Sequence, residues 1–410
     1  MGRILKKEDF LAHAIGCTAL STGGGGVGAS IEAVERIYDE AISKGSKPEL
    51  INLSEIPDDT IVTSVVETGG GVQSELKMRW GGRIGRLHRD VAMDPETIRD
   101  KIMENDATFC PLNTWSELPG PGFRASARKR LMEIVGINKI FSDLFFEITP
   151  GNTRSMLNMS FDGMKSVDAT SAGFRAAPEI SQTGLYLSNV KCTPAVVATS
   201  WGDILVFEKV LCFQRAEDLV EGIAEYSGGS AGGPFALTGR EAKKGMIPGC
   251  ISFTIDVGKA ILKAKESGDN IGAAIIKASK GRAYKLFEGK VSEYWQDDKF
   301  TFKYGEAKFK GTDEYAGHRF RAWYKNEFHI SWLDGKPYVT SPDGINVIDA
   351  KTGWGLANFW PGEWEAGREV VIIGVRNDER WETPMGIKIF GPPHFFFDIE
   401  HVPIDKLLKK

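Results

Sequence analysis

Three acidic residues in the first half of the chain stand where an α/β fold places its chemistry. Glu67 ends one apparent strand, Glu147 lies near the end of another, and Asp168 terminates a third. Ligands in open α/β sheets bind outside the carboxyl ends of the strands. Carboxyl groups meeting there can act as a general base, as orienters of a substrate N–H, or as hard ligands to a metal. The competing use is structural, with the same acids capping loops or pairing with Arg154 and Arg175.

Two glycine-rich segments carry the spacing of known motifs. Gly23-Gly24-Gly25-Gly26-Val27-Gly28 satisfies G-x-G-x-x-G and opens a helix, an arrangement that lets backbone amides approach a phosphate or carboxylate. The segment before it has helical rather than strand periodicity, which is the wrong context for a dinucleotide fold. A turn whose amides bind an anion or a substrate carbonyl, and a tight structural turn, both stay open. Gly228-Gly229-Ser230-Ala231-Gly232 matches G-x-S-x-G, but a nucleophile elbow joins a strand to a helix and here a helix-like segment comes first. A loop over a site, or close backbone packing, is the expected use. None of the six histidines forms H-x-x-x-H. His394, Asp398 and His401 are the nearest approach to a ligand set, so a divalent metal such as zinc is a candidate cofactor that neither spacing nor context specifies.

The elements that must position these residues are legible in outline. Residues 7–20 have apolar positions at helical spacing, and a second helix starts near Ala29, with Gly45 placed as its left-handed stop. Strands are expected over Glu49–Leu53, Thr60–Glu67, Ala107–Leu112, Lys139–Ile148 and Lys165–Asp168. Helices are expected from Asp94 to Asn105, near Ala125–Val135 and near Asn152–Phe161. This alternation predicts an α/β layer domain with a mostly parallel sheet over residues 1–180. Beyond about Gly184 the chain turns to strands rich in Val, Ile, Phe, Tyr and Trp. Residues 181–410 therefore read as a β-rich C-terminal domain with a helical block over about 215–281 and turns at Asp334-Gly335 and Asp343-Gly344.

Composition narrows the function classes. Fifty-one basic residues against 55 acidic ones leave no excess positive field for nucleic acid. No apolar run approaches the roughly 18 residues needed to span a bilayer, so no membrane role is expected. Five scattered cysteines without a C-x-x-C pair, and no clean signal peptide, suit the cytoplasm. The 47 glycines exceed the usual share, and 13 of them fall in five unbroken runs, so the excess marks turns and close approaches rather than low complexity.

The order of these segments resembles the S-methyl-thiohydantoin desulfurase family across nearly the whole chain. The resemblance is carried by Ser21-Thr22 with the first glycine run, Glu147 with Gly151-Asn152, Val167-Asp168-Ala169, and Gly173-Phe174-Arg175-Ala176-Ala177-Pro178-Glu179. In the second half it continues through Gly228–Gly233, Leu237–Glu241, Lys325-Asn326-Glu327, Ser341–Ile345, Gly391-Pro392-Pro393 and Val402-Pro403-Ile404. It implies an enzyme that removes sulfur hydrolytically from a hydantoin- or thiohydantoin-like five-membered ring. A small cyclic amide or thioamide is then the substrate, a homo-oligomer is expected, and a hydantoinase- or oxoprolinase-like protein is the implied partner. Alternatives are a ring-opening amidohydrolase and a non-catalytic substrate-binding subunit of such a complex. Under this reading Asp168 or Glu147 is the base or holds a metal-bound water, and Asn152 and Glu179 orient the ring amides. Arg175 offsets negative charge, the amides of Gly24, Gly25 and Gly26 bind a carbonyl oxygen, and Glu67 contacts substrate. Two positions depart from the family pattern: Val27-Gly28 stands where Asp-Pro is usual, and Thr170 replaces a second acidic residue.

Overall fold

The computed structural model describes residues 2–25, 30–68, 123–199, 202–226, 231–299, 302–358 and 361–408. The expected helix and strand over 94–112, together with Gly26, Val27 and Gly28, lie outside the described residues. In the first half, β1 (Arg3–Ile4), α1 (Lys7–Leu20), α2 (Ile31–Ser43), β2 (Glu49–Ile51) and β3 (Ile61–Thr68) precede α3 (Phe123–Val135), α4 (Gly151–Phe161), β4 (Ser166–Val167) and β5 (Ala169–Thr170). The middle holds α5 (Gly184–Leu187), β6 (Ala195–Thr199), β7 (Ile204–Phe207), α6 (Phe213–Tyr226), β8 (Ala231–Thr238), α7 (Gly239–Gly245), β9 (Ile247–Pro248), α8 (Cys250–Ser267) and α9 (Ile271–Ala278).

Helix boundaries follow local chemistry. Ser30 caps α2 by accepting the Ala33 N–H, and Gly45 follows the helix at φ +82°, a left-handed backbone that glycine adopts without a Cβ penalty. Helix α1 differs from an ordinary amphipathic helix because nearly all of its turns are covered, including His13 and Cys17. A helix buried on all sides shows no polar stripe to read.

Among the described residues, the pairing over residues 1–180 does not bear out a mostly parallel sheet. β3 pairs antiparallel with β8, which also pairs antiparallel with β6, so the four-stranded sheet β3-β8-β6-β7 draws on both sides of residue 180. Among the described residues, parallel pairing is confined to β2 with β4 and to two isolated bridges, Thr63 to Asp143 and Phe145 to Thr170. The segment 139–148, expected as a strand, makes only those bridges. Gly232 and Gly233 explain why β8 can take the central place: a Cβ on Gly232 would come within 2.5 Å of Glu67 Cβ. The second glycine cluster thus serves backbone packing where it is described, and a helix precedes this strand, the reverse of a nucleophile elbow. Ser230 is outside the described residues.

The last 130 residues form a seven-stranded antiparallel sheet from β10 (Ala283–Lys299), β11 (Phe302–Gly311), β12 (Arg319–Lys325), β13 (Glu327–Leu333), β14 (Lys336–Thr340), β15 (Gly344–Asp349) and β16 (Glu369–Val375). Its order is β14-β13-β12-β11-β10-β16-β15, which puts the consecutive strands β14 and β15 at opposite edges. Three residues, 341–343, join them, and three residues span only about 10 Å. The sheet must therefore curl into a half-barrel until its edges meet. Asp334 and Gly335, at φ +50° and +78°, make the expected tight hairpin, whereas the turn at Asp343-Gly344 is this edge-to-edge link rather than a second hairpin.

Alternation along β16 decides where the cores lie. Val370 and Ile372 point into the curl with Phe287, Phe309, Phe320 and Phe328, while Val371, Ile373 and Val375 point outward onto α1, α8 and α9. A strand buried on both faces reads as one unbroken apolar run, as Val370–Val375 does. Short α10 (Pro384–Phe390) and α11 (Ile404–Leu407) complete the fold. Among the described residues no helix is long and apolar enough to cross a membrane.

Candidate active site

A single residue, Asn326, joins β12 to β13, with a charged residue on either side. Asn326 takes φ +57°, and its backbone N–H and side-chain oxygen bond the carbonyl and N–H of Lys303 at 2.7 and 2.9 Å. This fixed reversal sends Lys325 and Glu327 into two adjoining groups of ionisable side chains in the seam between the half-barrel and the rest of the chain.

The first group holds Glu147, Arg175 and Glu327 beneath the first glycine run. The loop is docked on the half-barrel: Phe328 N–H donates to Thr22 O at 2.8 Å, Asn358 N–H to Gly23 O at 2.7 Å, and Thr149 Oγ1 to Gly25 O at 2.8 Å. Gly24 lies so close to the Glu327 carboxyl that any Cβ would overlap it. Gly24 N–H donates to Ser21 O at 2.9 Å, and the Gly25 amide faces the Glu327 carboxyl. These two amides, expected to bind a substrate carbonyl, are therefore used inside the protein, and Gly26 is outside the described residues.

Electrostatics in this group run against ionisation. Burial pushes Glu327 well above the usual carboxylate range, and the neighbouring Glu147 adds to it. Its Oε2 is buried with no hydrogen-bond partner among the described residues. Glu147 keeps some solvent contact, yet burial of its carboxyl pushes it up to about 8 against the opposing Ala177 N–H, at 2.6 Å, and Arg175; Glu67 adds further repulsion. Arg175 is fully buried and lowered to about 10 by burial, so it remains a cation at neutral pH. Its donors go to Ala176 O, Asp343 O, Phe328 O and His329 Nδ1 at 2.8 to 3.3 Å, and it acts on the two acids through its field. Asn152 donates to Glu147 O at 2.7 Å, fixing the backbone that carries the carboxyl. Behind this group His13, lowered to about 3 by burial, bonds Thr153 Oγ1 at 2.9 Å.

The second group centres on Glu179. Burial works to raise this carboxyl, but His394 Nε2 at 2.8 Å and the Lys325 ammonium overcome it and hold Glu179 down to about 2. Two acids on α6 face the same ammonium. Glu217 is raised well above its ordinary value by burial and by the charge on Glu179; its Oε2 accepts Ser181 N–H at 3.1 Å and its Oε1 is buried without a partner among the described residues. Glu221, one turn further out, is raised to about 7, chiefly by burial. His329 ties the groups together: it accepts from Arg175 through Nδ1 and donates to Lys325 O from Nε2, both at 3.3 Å. Strong desolvation keeps its ring neutral, which suits these bonds.

Of the residues singled out from sequence, Glu67, Glu147, Arg175, Gly24 and Gly25 come together, and Glu179 sits in the adjoining group. Asp168 does not join them. It accepts the Ile251 and Ser252 N–H groups at 2.9 Å each and the Ser252 hydroxyl, capping the first turn of α8. That is the structural use left open for it. His394 is on Glu179, and His401 Nδ1 is 3.0 Å from Thr340 Oγ1, so the two do not fit a shared zinc site with Asp398. Among the described residues no three such side chains are gathered to hold a metal. Sequence reasoning missed Glu327, Lys325, Glu217, Glu221 and His329 as site residues. The available signal was the Lys325-Asn326-Glu327 element itself, an asparagine suited to positive φ between opposite charges.

Residues 213–404 match the family model described as S-Me-THD-like, C-terminal domain. That span includes Glu217, Glu221, Lys325, Glu327 and His394. A crystal structure of a protein from Chromobacterium violaceum, determined by the Northeast Structural Genomics Consortium, is similar with a TM-score of 0.67, at 15% identity, over 99% of this chain and 100% of that one. At that identity the likeness shows a shared fold alone. No curated protein sequence matches the chain.

Proposed function

We propose, on the premise that residues 213–404 are an S-Me-THD-like C-terminal domain, that this chain is a hydrolase removing sulfur from a hydantoin- or thiohydantoin-like ring. The reaction adds water to the ring carbon bearing sulfur and expels a thiol, leaving a carbonyl. A thiolate leaves readily, so the protein has to activate water and offset the charge of the tetrahedral intermediate.

The observation that carries the reading is Glu147, raised to about 8 beside the buried acid of Glu327, whose Oε2 has no partner among the described residues, and the buried charge of Arg175. A carboxyl near pH 8 is a far stronger base than a solvated one, and still has an ionised fraction of about one tenth at pH 7. In this proposal Glu147 takes the proton of the attacking water. Glu327, neutral, donates to a ring nitrogen, and Arg175 offsets the developing negative charge. Glu67 borders the site from β3. Glu179 acts by fixing Lys325 and His394, and Asp168 positions α8.

The test is to incubate the protein, before and after chelation of divalent metals such as zinc, with hydantoins, thiohydantoins and their S-methyl derivatives while following thiol release and ring absorbance. Thiol release that falls at least about 100-fold in Glu147→Gln is expected. A new carboxylate without thiol would replace this reading with ring-opening amidohydrolysis. No turnover alone, with activity restored by a hydantoinase- or oxoprolinase-like partner at fixed stoichiometry, would make the chain a binding subunit.

A further inference from the structure

A cleft of about 440 Å³ opens where the first turn of α8 meets the end of α9, lined by Phe174, Phe253, Ala278, Lys280, Arg282 and Arg376 among others. Phe174 and Arg175 are consecutive but turn to different neighbourhoods, the ring to this cleft and the guanidinium to the carboxyl seam. Phe174 and Phe253 meet edge to face at 5.3 Å, which gives the cleft an apolar wall. The Arg282 guanidinium lies 3.7 Å from the centroid of the Phe174 ring. Its Nη1 donates to the carbonyls of Arg376 and Asn377 at 2.9 and 3.3 Å.

That anchoring leaves the other edge of the guanidinium free. Nε and Nη2, the side-on fork that binds a carboxylate through two parallel hydrogen bonds, have no protein partner among the described residues. The neighbouring charges are already used: Lys280 pairs with Asp256 at 3.0 Å, and Arg376 pairs with Glu382 and Asp405. The Asp168 carboxylate is turned onto α8. One preorganised, stacked, partly desolvated cation thus faces a volume suited to a small molecule, with an aromatic wall beside it.

We propose that this cleft is a binding site for a small organic carboxylate with an apolar body, the carboxylate held by the Arg282 fork and the body laid against Phe253 and Ala278. It is separate from the chemistry proposed for Glu147.

The experiment uses the whole protein and phenylglyoxal labelling of arginine, read at the Arg282 peptide by mass spectrometry. Sodium phenylacetate, sodium acetate, benzyl alcohol and inorganic phosphate are the protecting probes. Phenylacetate at millimolar concentration should slow Arg282 labelling about fivefold or more, acetate less, and benzyl alcohol not at all. Calorimetric titration of phenylacetate should show affinity lost at least about tenfold in Arg282→Lys, which keeps the charge without the fork, and kept in Glu147→Gln. Equal labelling with and without every probe would overturn the site. Protection by phosphate exceeding that by phenylacetate would overturn the assignment to an organic carboxylate.

Discussion

Replacing Glu147 by Gln tests the central group without relying on any substrate. Gln has the same shape, and its carbonyl can still accept the Ala177 N–H now bonded to Oε2 at 2.6 Å. What it removes is an acid raised from 4.5 to about 8. In the unfolded chain this carboxyl ionises above pH 4.5, while in the folded protein it stays protonated until about 8. Its contribution to stability is therefore complete below 4.5, declines across the interval, and is gone once the pH passes 8. The interval is worth about 1.4 kcal/mol per pH unit, and a total of about 3–4 kcal/mol once partial exposure of the side chain is discounted. Urea unfolding followed by tryptophan fluorescence, at half-unit steps from pH 4.5 to 9, reads this as a difference between the two proteins. The Gln variant should gain on wild type steadily with rising pH. A difference that stays constant to within about 1 kcal/mol over the whole range would refute the reasoning, because Glu147 would then titrate alike in both states.

Other perturbations separate structural from chemical roles. Asp168→Asn keeps an acceptor for α8 and should leave turnover within about threefold of wild type, whereas Asp168→Ala should lose about 1–2 kcal/mol of stability with the cap; a collapse of turnover in the Asn variant with unchanged stability would return Asp168 to the chemistry. Gly24→Ala should cost about 1–3 kcal/mol through overlap with the Glu327 carboxyl, and Glu327→Ala should recover part of that loss in the double variant, measured by thermal denaturation. Lys325→Met leaves the buried Glu179 charge with His394 and the Ser181 hydroxyl. Because Glu179 is held down to about 2, its contribution is present above pH 4.5 and lost as the pH falls through 2. The variant should therefore lose about 3–5 kcal/mol at pH 7 and less at pH 3, again by urea unfolding.

Much of the scaffold was legible because its signals are local. Gly45 and Asp334-Gly335 each mark a boundary through the conformation of one or two residues, and both mark it correctly. The sheet topology was not legible. A strand such as β3 carries the same alternation whether its partner is parallel or antiparallel, and here the partner, β8, lies more than 160 residues away in sequence. The site divides in the same way. Glu147 and Arg175 could be picked as ionisable residues beside glycines, but whether an acid is charged depends on who surrounds it. Asp168 stood with Glu147 as a candidate base and meets a helix end instead. Glu327 stood only as one residue of the Lys325-Asn326-Glu327 element, without a role, and meets Glu147, Arg175 and a glycine without room for a side chain.

The one-residue turn at Asn326 also bears on how such a protein can change over evolutionary time. One reversal supplies an ammonium to one group of acids and a carboxyl to the other, with the two strands locked in register on either side. A single insertion there would move every following side chain of β13 to the opposite face of the sheet. The turn is therefore closed to gradual variation, and neither group can be retuned from it alone. New substrate preferences would have to arise from the opposite bank of the seam, at Glu67, Thr149, Glu217 and Glu221, where one substitution alters one group and leaves the other as it was.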